Sequence, residues 1–433
     1  MVARFRVVVN DCAWPPLPHL THLHTRRDGN EPQNVVYSYG DVVAGLPDRL
    51  TPVQQDWLDI LGALHATDLA CLRGTNTDWS RQIELWVGVR EPDHWQPLTD
   101  RFQRVFGALT YDDLVLHFEP DTNPVPPPRQ RQDPLPDADC VALLSGGIDS
   151  LTGAGLLLTS ARKPLFLSHQ NSGAVAGALR AVHDALNPLG ESAGDLTFTA
   201  RVEHLKPEST QRSRSMLYMG IACLLAACLG RREVYLNENG VMAINVPLTA
   251  ARVGSYSTRT ASPTIARDFA RLASTALGRD LVVHNLLVTK TKPEVVETAV
   301  ELQLGSVLPR SVSCWWIGRT GKHCGYCVPC IIRRISCEYA DAPDATYAQN
   351  PLDCIPLDAS WRDAATDNVV QLAAHAIGLD ECDDLDFELE FPELLNCGDQ
   401  ITRDETFAMH RRWAQQCLAI MRTHPGAARV IGR

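Results

Sequence analysis

Cys140-Val141-Ala142-Leu143-Leu144-Ser145-Gly146-Gly147-Ile148-Asp149-Ser150 is the stretch that decides the fold. An apolar run of strand length passes directly into a serine–glycine–glycine bend, and a helix is predicted from Asp149 onward. Two glycines let the backbone approach a ligand with no Cβ in the way. The start of a helix offers unpaired N–H groups and the positive end of its dipole, which together attract anions. Ser145 and Ser150 add hydroxyl groups, and Asp149 is expected to cap the helix or to help hold a magnesium ion. The loop is not a Walker loop, because Gly318 to Lys322 lacks the glycine at the required offset. It is not a dinucleotide fingerprint either, since Gly153 and Gly155 have no third partner. A Gly-Gly turn that only starts a helix is the alternative, yet a chance match to five specified residues arises on the order of once in a thousand such chains.

Outward from this point the chain alternates between strand and helix. Strands are predicted at Lys163–Ser168, Glu233–Leu236 and Leu281–Leu287. Helices are predicted at Gly173–Leu186, from Ser213, at Pro263–Leu277 and at Pro293–Leu304. That rhythm implies an α/β fold, a parallel sheet covered on both faces. Upstream, Asp121 to Asp137 is too rich in proline for helix or sheet and reads as an extended spacer. The region before it reads as a small α+β unit. It has strands at Arg4–Asn10, Gln82–Arg90 and Leu114–Phe118, an amphipathic helix from Thr51-Pro52 to about Cys71, and a helix at Leu98–Leu109. His19, His22 and His24 have a metal-like spacing, yet in a proline-flanked loop they are read as solvated residues rather than as a metal site. The expected domains are 1–120 (accessory), 121–137 (linker), 138–340 (catalytic) and 341–433 (an acidic helical extension).

The 433 residues are 45% hydrophobic and carry 40 Lys+Arg against 51 Asp+Glu, a net charge of −11. Apolar content at the globular average excludes general disorder, and the acidic balance argues against nucleic acid as a bulk partner. The longest nearly apolar run, Met216 to Gly230, is too short for a membrane span. Met1 opens into strand-like sequence with no leader pattern, so a reducing, cytoplasmic setting is expected. There the clustering of Cys314, Cys324, Cys327 and Cys330 points to a metal. Gly325 and Pro329 supply the bends, Cys314 completes a tetrahedral set, and Arg333 and Arg334 stand ready to offset thiolate charge. Structural zinc fits best, with an iron–sulfur cluster or a catalytic thiol as alternatives; His323 and Cys337 break the better pattern.

Ser145 to Ser150 resembles the signature of the PP-loop ATP pyrophosphatases. The resemblance implies a nucleotide α-hydrolase-like sheet whose loop grips the β- and γ-phosphates of ATP while a substrate oxygen is adenylated and pyrophosphate leaves. Loop and cysteine cluster together resemble the 7-cyano-7-deazaguanine synthase (QueC) family over roughly residues 139–340. Arg214 before an apolar helix fits that family, although Ser215 stands where asparagine is usual. Thr291-Lys292 with Glu294 is similar to its Thr-Lys-x-Glu helix start, and Ser313-Cys314 to its Ser-Cys pair. Thr260-Ala261-Ser262-Pro263 departs from the family's Tyr-Pro-Asp segment. That departure, Asn237-Glu238-Asn239-Gly240 with the stretches Ile244–Leu248 and Gly254–Thr260 after it, and the extra terminal regions are similar to QueC-like proteins of antiphage operons, the QatC type.

The resemblance implies ATP, Mg2+ and Zn2+ as cofactors. Nucleotide contacts are expected from Leu144, Ser145, Gly146, Gly147, Ile148, Asp149, Ser150 and Gln170. Ser145, Asp149, Lys292 and Arg214 are the catalytic candidates. Glu238, Asn239 and Gly240 are expected to touch substrate, because they follow a strand at the edge where parallel sheets place ligands. The plain alternatives are a solvated Lys292, a surface-capping Arg214 and a simple Asn-Gly turn. The reaction expected is activation of a deazaguanine-like carboxylate, giving an amide or nitrile. A protein amine in place of ammonia, other defence-operon proteins and a second copy of the chain are the partners considered. Two other readings stay open: a PP-loop tRNA-thiolating enzyme, and a non-catalytic ATP-binding component of a defence complex.

Overall fold

The computed structural model describes residues 3–9, 20–23, 35–39, 42, 44, 46, 49–73, 80–121, 137–170, 172–203, 208, 212–246, 259–353, 362–395 and 397–432. Its strands are β1 (Ala3–Val9), β2 (Leu20–Leu23), β3 (Val35–Ser38), β4 (Arg81–Val89), β5 (Asp113–Pro120), β6 (Cys140–Leu143), β7 (Pro164–His169), β8 (Gly194–Val202), β9 (Glu233–Tyr235) and β10 (Val282–His284). The longer helices are α1 (Pro52–Ala70), α2 (Thr99–Thr110), α3 (Ile148–Thr159), α4 (Gly173–Leu186), α5 (Arg214–Cys228), α6 (Pro263–Leu277), α7 (Lys292–Glu301), α8 (Val328–Tyr339), α9 (Arg362–Glu381) and α10 (Arg403–Met421).

The larger sheet has the order β10-β9-β6-β7-β8-β3, parallel throughout except for β3, which pairs antiparallel with β8. Side chains of a strand alternate between faces, and β6 feeds two cores in that way. Val141 and Leu143 pack with α1, α5 and α6, while Cys140, Ala142 and Leu144 pack with α3, α4 and α7. A sheet buried on both faces explains why β6 reads as one unbroken apolar run. The second sheet, β2-β1-β4-β5, is also wholly parallel.

Several local expectations are corrected. Helix α1 opens on a capping box between Thr51 and Gln54 but is not amphipathic: it is buried almost all round. The cause is tertiary. Trp57 Nε1 donates to the Gly220 carbonyl of α5 at 2.9 Å, and Tyr37 of β3 reaches the Gly62 carbonyl, so α1 is enclosed from two sides. His22 sits in strand β2 rather than in a loop, paired in register with Val8; His19 and His24 lie outside the described residues. So does most of the proline-rich spacer, at 122–136. Strands β3 and β8 escaped the sequence reading. The described residues after 341 pack into an apolar core that includes Leu372, Phe387, Met409 and Trp413 and that they share with Val241, Val288, Ile331 and Ile335. Among the described residues no helix is long and apolar enough to cross a membrane.

His65, His375 and His410 are buried, and desolvation first of all lowers each to about 4. In the unfolded chain they titrate near about 6.5. Between those values the unfolded state binds more protons, so folded stability falls as pH drops through this window. Urea midpoints are expected to decrease steadily from pH 7 to pH 5, with a shallower slope in His410→Gln. Midpoints that stay flat across this range would refute the assignment.

Candidate active site at the carboxyl edge of the larger sheet

The bend after β6 is built from its own polar atoms. Ser150 Oγ accepts from Ser145 N at 3.1 Å, donates to the Gly147 carbonyl at 3.1 Å and lies 3.0 Å from Ser145 Oγ. Gly146 has φ of +79°, a left-handed conformation that strains any residue with a Cβ. Gly147 precedes α3 and no side chain caps the helix, so the first-turn N–H groups stay open toward the bend. Asp149 therefore does not act as the cap. Its Oδ2 pairs with Lys292 Nζ, both side chains being 11% exposed. Lys292 is thus no solvated helix-start lysine. Thr291 and Glu294 form the capping box that sets where α7 begins.

The other Asp149 oxygen, Oδ1, is buried without a hydrogen-bond partner. Glu238, half-buried just past β9, faces the same carboxylate. Desolvation first, then the charge of Asp149, hold the Glu238 carboxyl well above the usual range. An unpartnered oxygen beside a second carboxyl suits a hard divalent cation. Further buried unpartnered atoms lie at this edge: Ser168 Oγ near the end of β7, Ser215 Oγ on α5, and Asn237 Nδ2 after β9. Buried polar groups are ordinarily satisfied, and these atoms are open to a ligand.

The remaining predicted residues divide between this edge and the fold behind it. Asn239 is fully buried; its Nδ2 donates to Glu238 Oε1 at 3.0 Å and its Oδ1 accepts from Met242 N at 3.2 Å. It positions Glu238. Gly240 is buried too, where a Cβ would come within 2.0 Å of the Val288 carbonyl oxygen and 2.2 Å of Met409 Sδ. Gln170 follows β7, half-buried, its N–H donating to the Phe198 carbonyl at 3.0 Å. Arg214 is exposed at the start of α5, with its guanidinium 5.8 Å from the centre of the Tyr218 ring. Asp68 of α1 fixes that helix start, accepting from Ser213 N at 2.9 Å and Ser213 Oγ at 2.8 Å.

Cys314, Cys324, Cys327 and Cys330 are all buried, with sulfur atoms within 4.8 Å of one another. Backbone N–H groups of Trp316, Cys324 and Cys327 point at the sulfurs of Cys314 and Cys324 from 3.3 to 3.4 Å. Four thiols so close and so supplied with donors suit a metal ion. The expected charge compensation is corrected: Arg333 donates to Asp344 at 2.7 Å and to the Ser311 carbonyl at 2.8 Å, and Arg334 pairs with Glu338. His323 accepts from Ser313 N instead of joining the cluster, and Cys337 packs in the core under α3. Val312 N donates to the Gly146 carbonyl at 2.9 Å, so the segment entering the cluster braces the bend.

Residues 209–340 match the family model described as queuosine biosynthesis protein QueC. That match and the relatives below support a QueC-like PP-loop protein. Relatives named 7-cyano-7-deazaguanine synthase include that of Cupriavidus pinatubonensis, 26% identical over 232 residues, which is 48% of this chain and 97% of the relative. That of Myxococcus xanthus is 26% identical over 237 residues, covering 48% and 95%. That of Nitrosomonas europaea is 31% identical over 148 residues, covering 32% and 57%.

Beyond the QueC-matched segment, α10 supports the site from behind. Gln416 Oε1 accepts from Thr291 Oγ1 at 2.7 Å, and Arg412 donates to Glu294 at 2.8 Å and to the Thr289 carbonyl at 3.1 Å. Gln400 accepts from Asn285 N at 2.8 Å, while Asn285 Nδ2 donates to the Glu238 carbonyl at 2.7 Å. The sequence reading missed Asn285, Gln400, Arg412 and Gln416, because no local pattern announces a partner so far along the chain. Gln416→Leu leaves the buried Thr291 hydroxyl without its acceptor. It is expected to lower stability by about 1–3 kcal/mol in urea unfolding; an unchanged midpoint would count against this support.

Proposed function

We propose that this protein is an ATP-dependent, acid-activating enzyme that adenylates a carboxylate and releases pyrophosphate. The observation that carries this reading is the buried Asp149–Lys292 pair, with Glu238 beside it, at the uncapped start of α3. The relatives' name, 7-cyano-7-deazaguanine synthase, supports a nitrile-bearing deazaguanine product; the deazaguanine-like acid and the amide belong to this proposal. A setting in antiphage defence and a protein amine as acceptor belong to the same proposal and rest on the QatC-type resemblance.

The bend at Ser145–Ser150 receives the β- and γ-phosphates of ATP through its hydroxyls and open N–H groups. Lys292 offsets charge on the phosphoryl oxygens as the Pα–O bond to the β-phosphate breaks. The substrate's carboxylate oxygen forms the new bond to that phosphorus, and pyrophosphate leaves with the bonding electrons. An amine then attacks the acyl carbon: a C–N bond forms, a proton is lost and AMP departs. Asp149 and Glu238 are the residues to hold magnesium, which supplies positive charge against the phosphates when bound. Cys314, Cys324, Cys327 and Cys330 suit zinc in a structural role, cross-linking the segment that braces the bend.

The test is pyrophosphate release by the purified full-length protein with ATP, magnesium and 7-carboxy-7-deazaguanine, with and without ammonium. Release that depends on the acid is expected. Release indifferent to the acid, or dependent on added RNA, would overturn this reading and favour nucleic-acid modification. Nucleotide binding with no release at all would favour a non-catalytic component.

A further inference from the structure

The sheet edge holds a second set of groups that the phosphate chemistry does not use: His169, Tyr218 and Arg214. His169 closes β7, two residues beyond Leu167, whose carbonyl accepts from Leu144 N at 2.9 Å; it therefore stands next to the bend at Ser145. Tyr218 lies one helical turn beyond Arg214 on α5, on the sheet face opposite α3. Tyr218 Oη is 2.6 Å from His169 Nδ1. The other ring nitrogen, Nε2, accepts from the backbone N–H of Ala200 at 3.3 Å.

That second contact decides the direction of the first. A backbone N–H can only donate, so Nε2 carries no proton. Burial lowers the His169 pKa to about 4, which leaves a neutral ring at pH 7. A neutral imidazole has one N–H, here on Nδ1, and it must donate to the Tyr218 oxygen. The hydroxyl proton of Tyr218 is then directed away from His169, and no acceptor for it is found among the described residues. Arg214 makes no ion pair among the described residues, and Ser215 beside it keeps a buried, unpartnered hydroxyl. Donors gather here with no carboxylate bonded to them.

We infer that the Tyr218 hydroxyl, oriented by His169, and the Arg214 guanidinium form the subsite that binds the carboxylate of the acid to be activated. This assignment rests on the acid-activating reading above. A phenolic hydroxyl and a guanidinium both donate to anionic oxygen, and charge-assisted hydrogen bonds of this kind are the strong ones. The subsite adjoins the nucleotide bend across the β6–β7 edge, where Leu144 N donates to the Leu167 carbonyl. Tyr218 and Arg214 touch the substrate; His169 acts only through Tyr218.

Calorimetric titration of full-length protein with 7-carboxy-7-deazaguanine tests the assignment directly, alongside steady-state pyrophosphate release. Tyr218→Phe keeps the ring and deletes only the hydroxyl. It is expected to weaken acid binding by about tenfold and to raise KM for the acid equally, leaving KM for ATP within about twofold. Equal binding of the acid to wild type and variant sinks the subsite while leaving the acid-activating reading intact. A raised KM for ATP alone, with acid binding unchanged, also overturns it by assigning the donors to a phosphoryl group. Failure of wild type to bind the acid at all overturns both readings together. Nitrogen-15 NMR of His169 should show the proton on Nδ1; a proton on Nε2 removes the basis of the orientation.

Discussion

Lys292→Met is expected to reduce acid-dependent pyrophosphate release by about 10²–10³-fold, the usual loss when one preorganised charge-stabilising donor is removed. The ammonium is nearly buried against Asp149, with no other cation bonded to that carboxylate among the described residues. Its removal leaves an aspartate 11% exposed and unpaired on Oδ2, and breaking a buried pair costs about 3–5 kcal/mol. The variant is therefore expected to melt earlier than wild type, and activity is to be compared at a temperature where both are folded by circular dichroism. Lys292→Arg should not rescue, because a planar fork replaces a compact point charge against the buried Asp149 carboxylate. Release within threefold of wild type in folded Lys292→Met would remove Lys292 from the chemistry.

The second large effect is expected at the cysteines. Elemental analysis should find about one zinc per chain, and Cys327→Ser should lose it. Structural zinc contributes apparent binding free energies of about 10–16 kcal/mol in small domains, comparable with the whole margin of roughly 5–15 kcal/mol that keeps a protein folded. The knuckle is thus expected to unfold without its metal. The damage should spread, since the Val312 N–H that holds the Gly146 carbonyl lies just before Cys314. Loss of ATP binding by titration, together with a lowered thermal midpoint, is the expected result. Wild-type metal content and melting in Cys327→Ser would show that the four sulfurs are not one ligand set.

The two sites differed in how much of them could be read from residues alone. The bend after β6 and the cysteine cluster are short-range devices: their atoms come from neighbouring residues, and spacing alone carries the geometry. Lys292 belongs to the opposite case. Its helix start was legible, yet its partner Asp149 lies 143 positions away, and only packing of α7 against α3 brings the two together. Asn239 and Gly240 were read as contacts because they follow a strand. The fold uses them to aim Glu238 and to let α10 approach. The amphipathic reading of α1 failed for a related reason: hydrophobic periodicity describes one buried face, whereas α1 is enclosed from two sides by elements far along the chain.

By itself the sequence determined the parallel α/β order, the phosphate-type bend and the four-thiol cluster, because backbone propensity and ligand spacing act over a few residues. Only the tertiary structure decided that β3 closes the larger sheet, that α10 stands behind Lys292 and that Tyr218 meets His169. Those outcomes depend on which distant groups exclude water from one another, and a hydrogen bond's direction is fixed by its second partner as much as by its first.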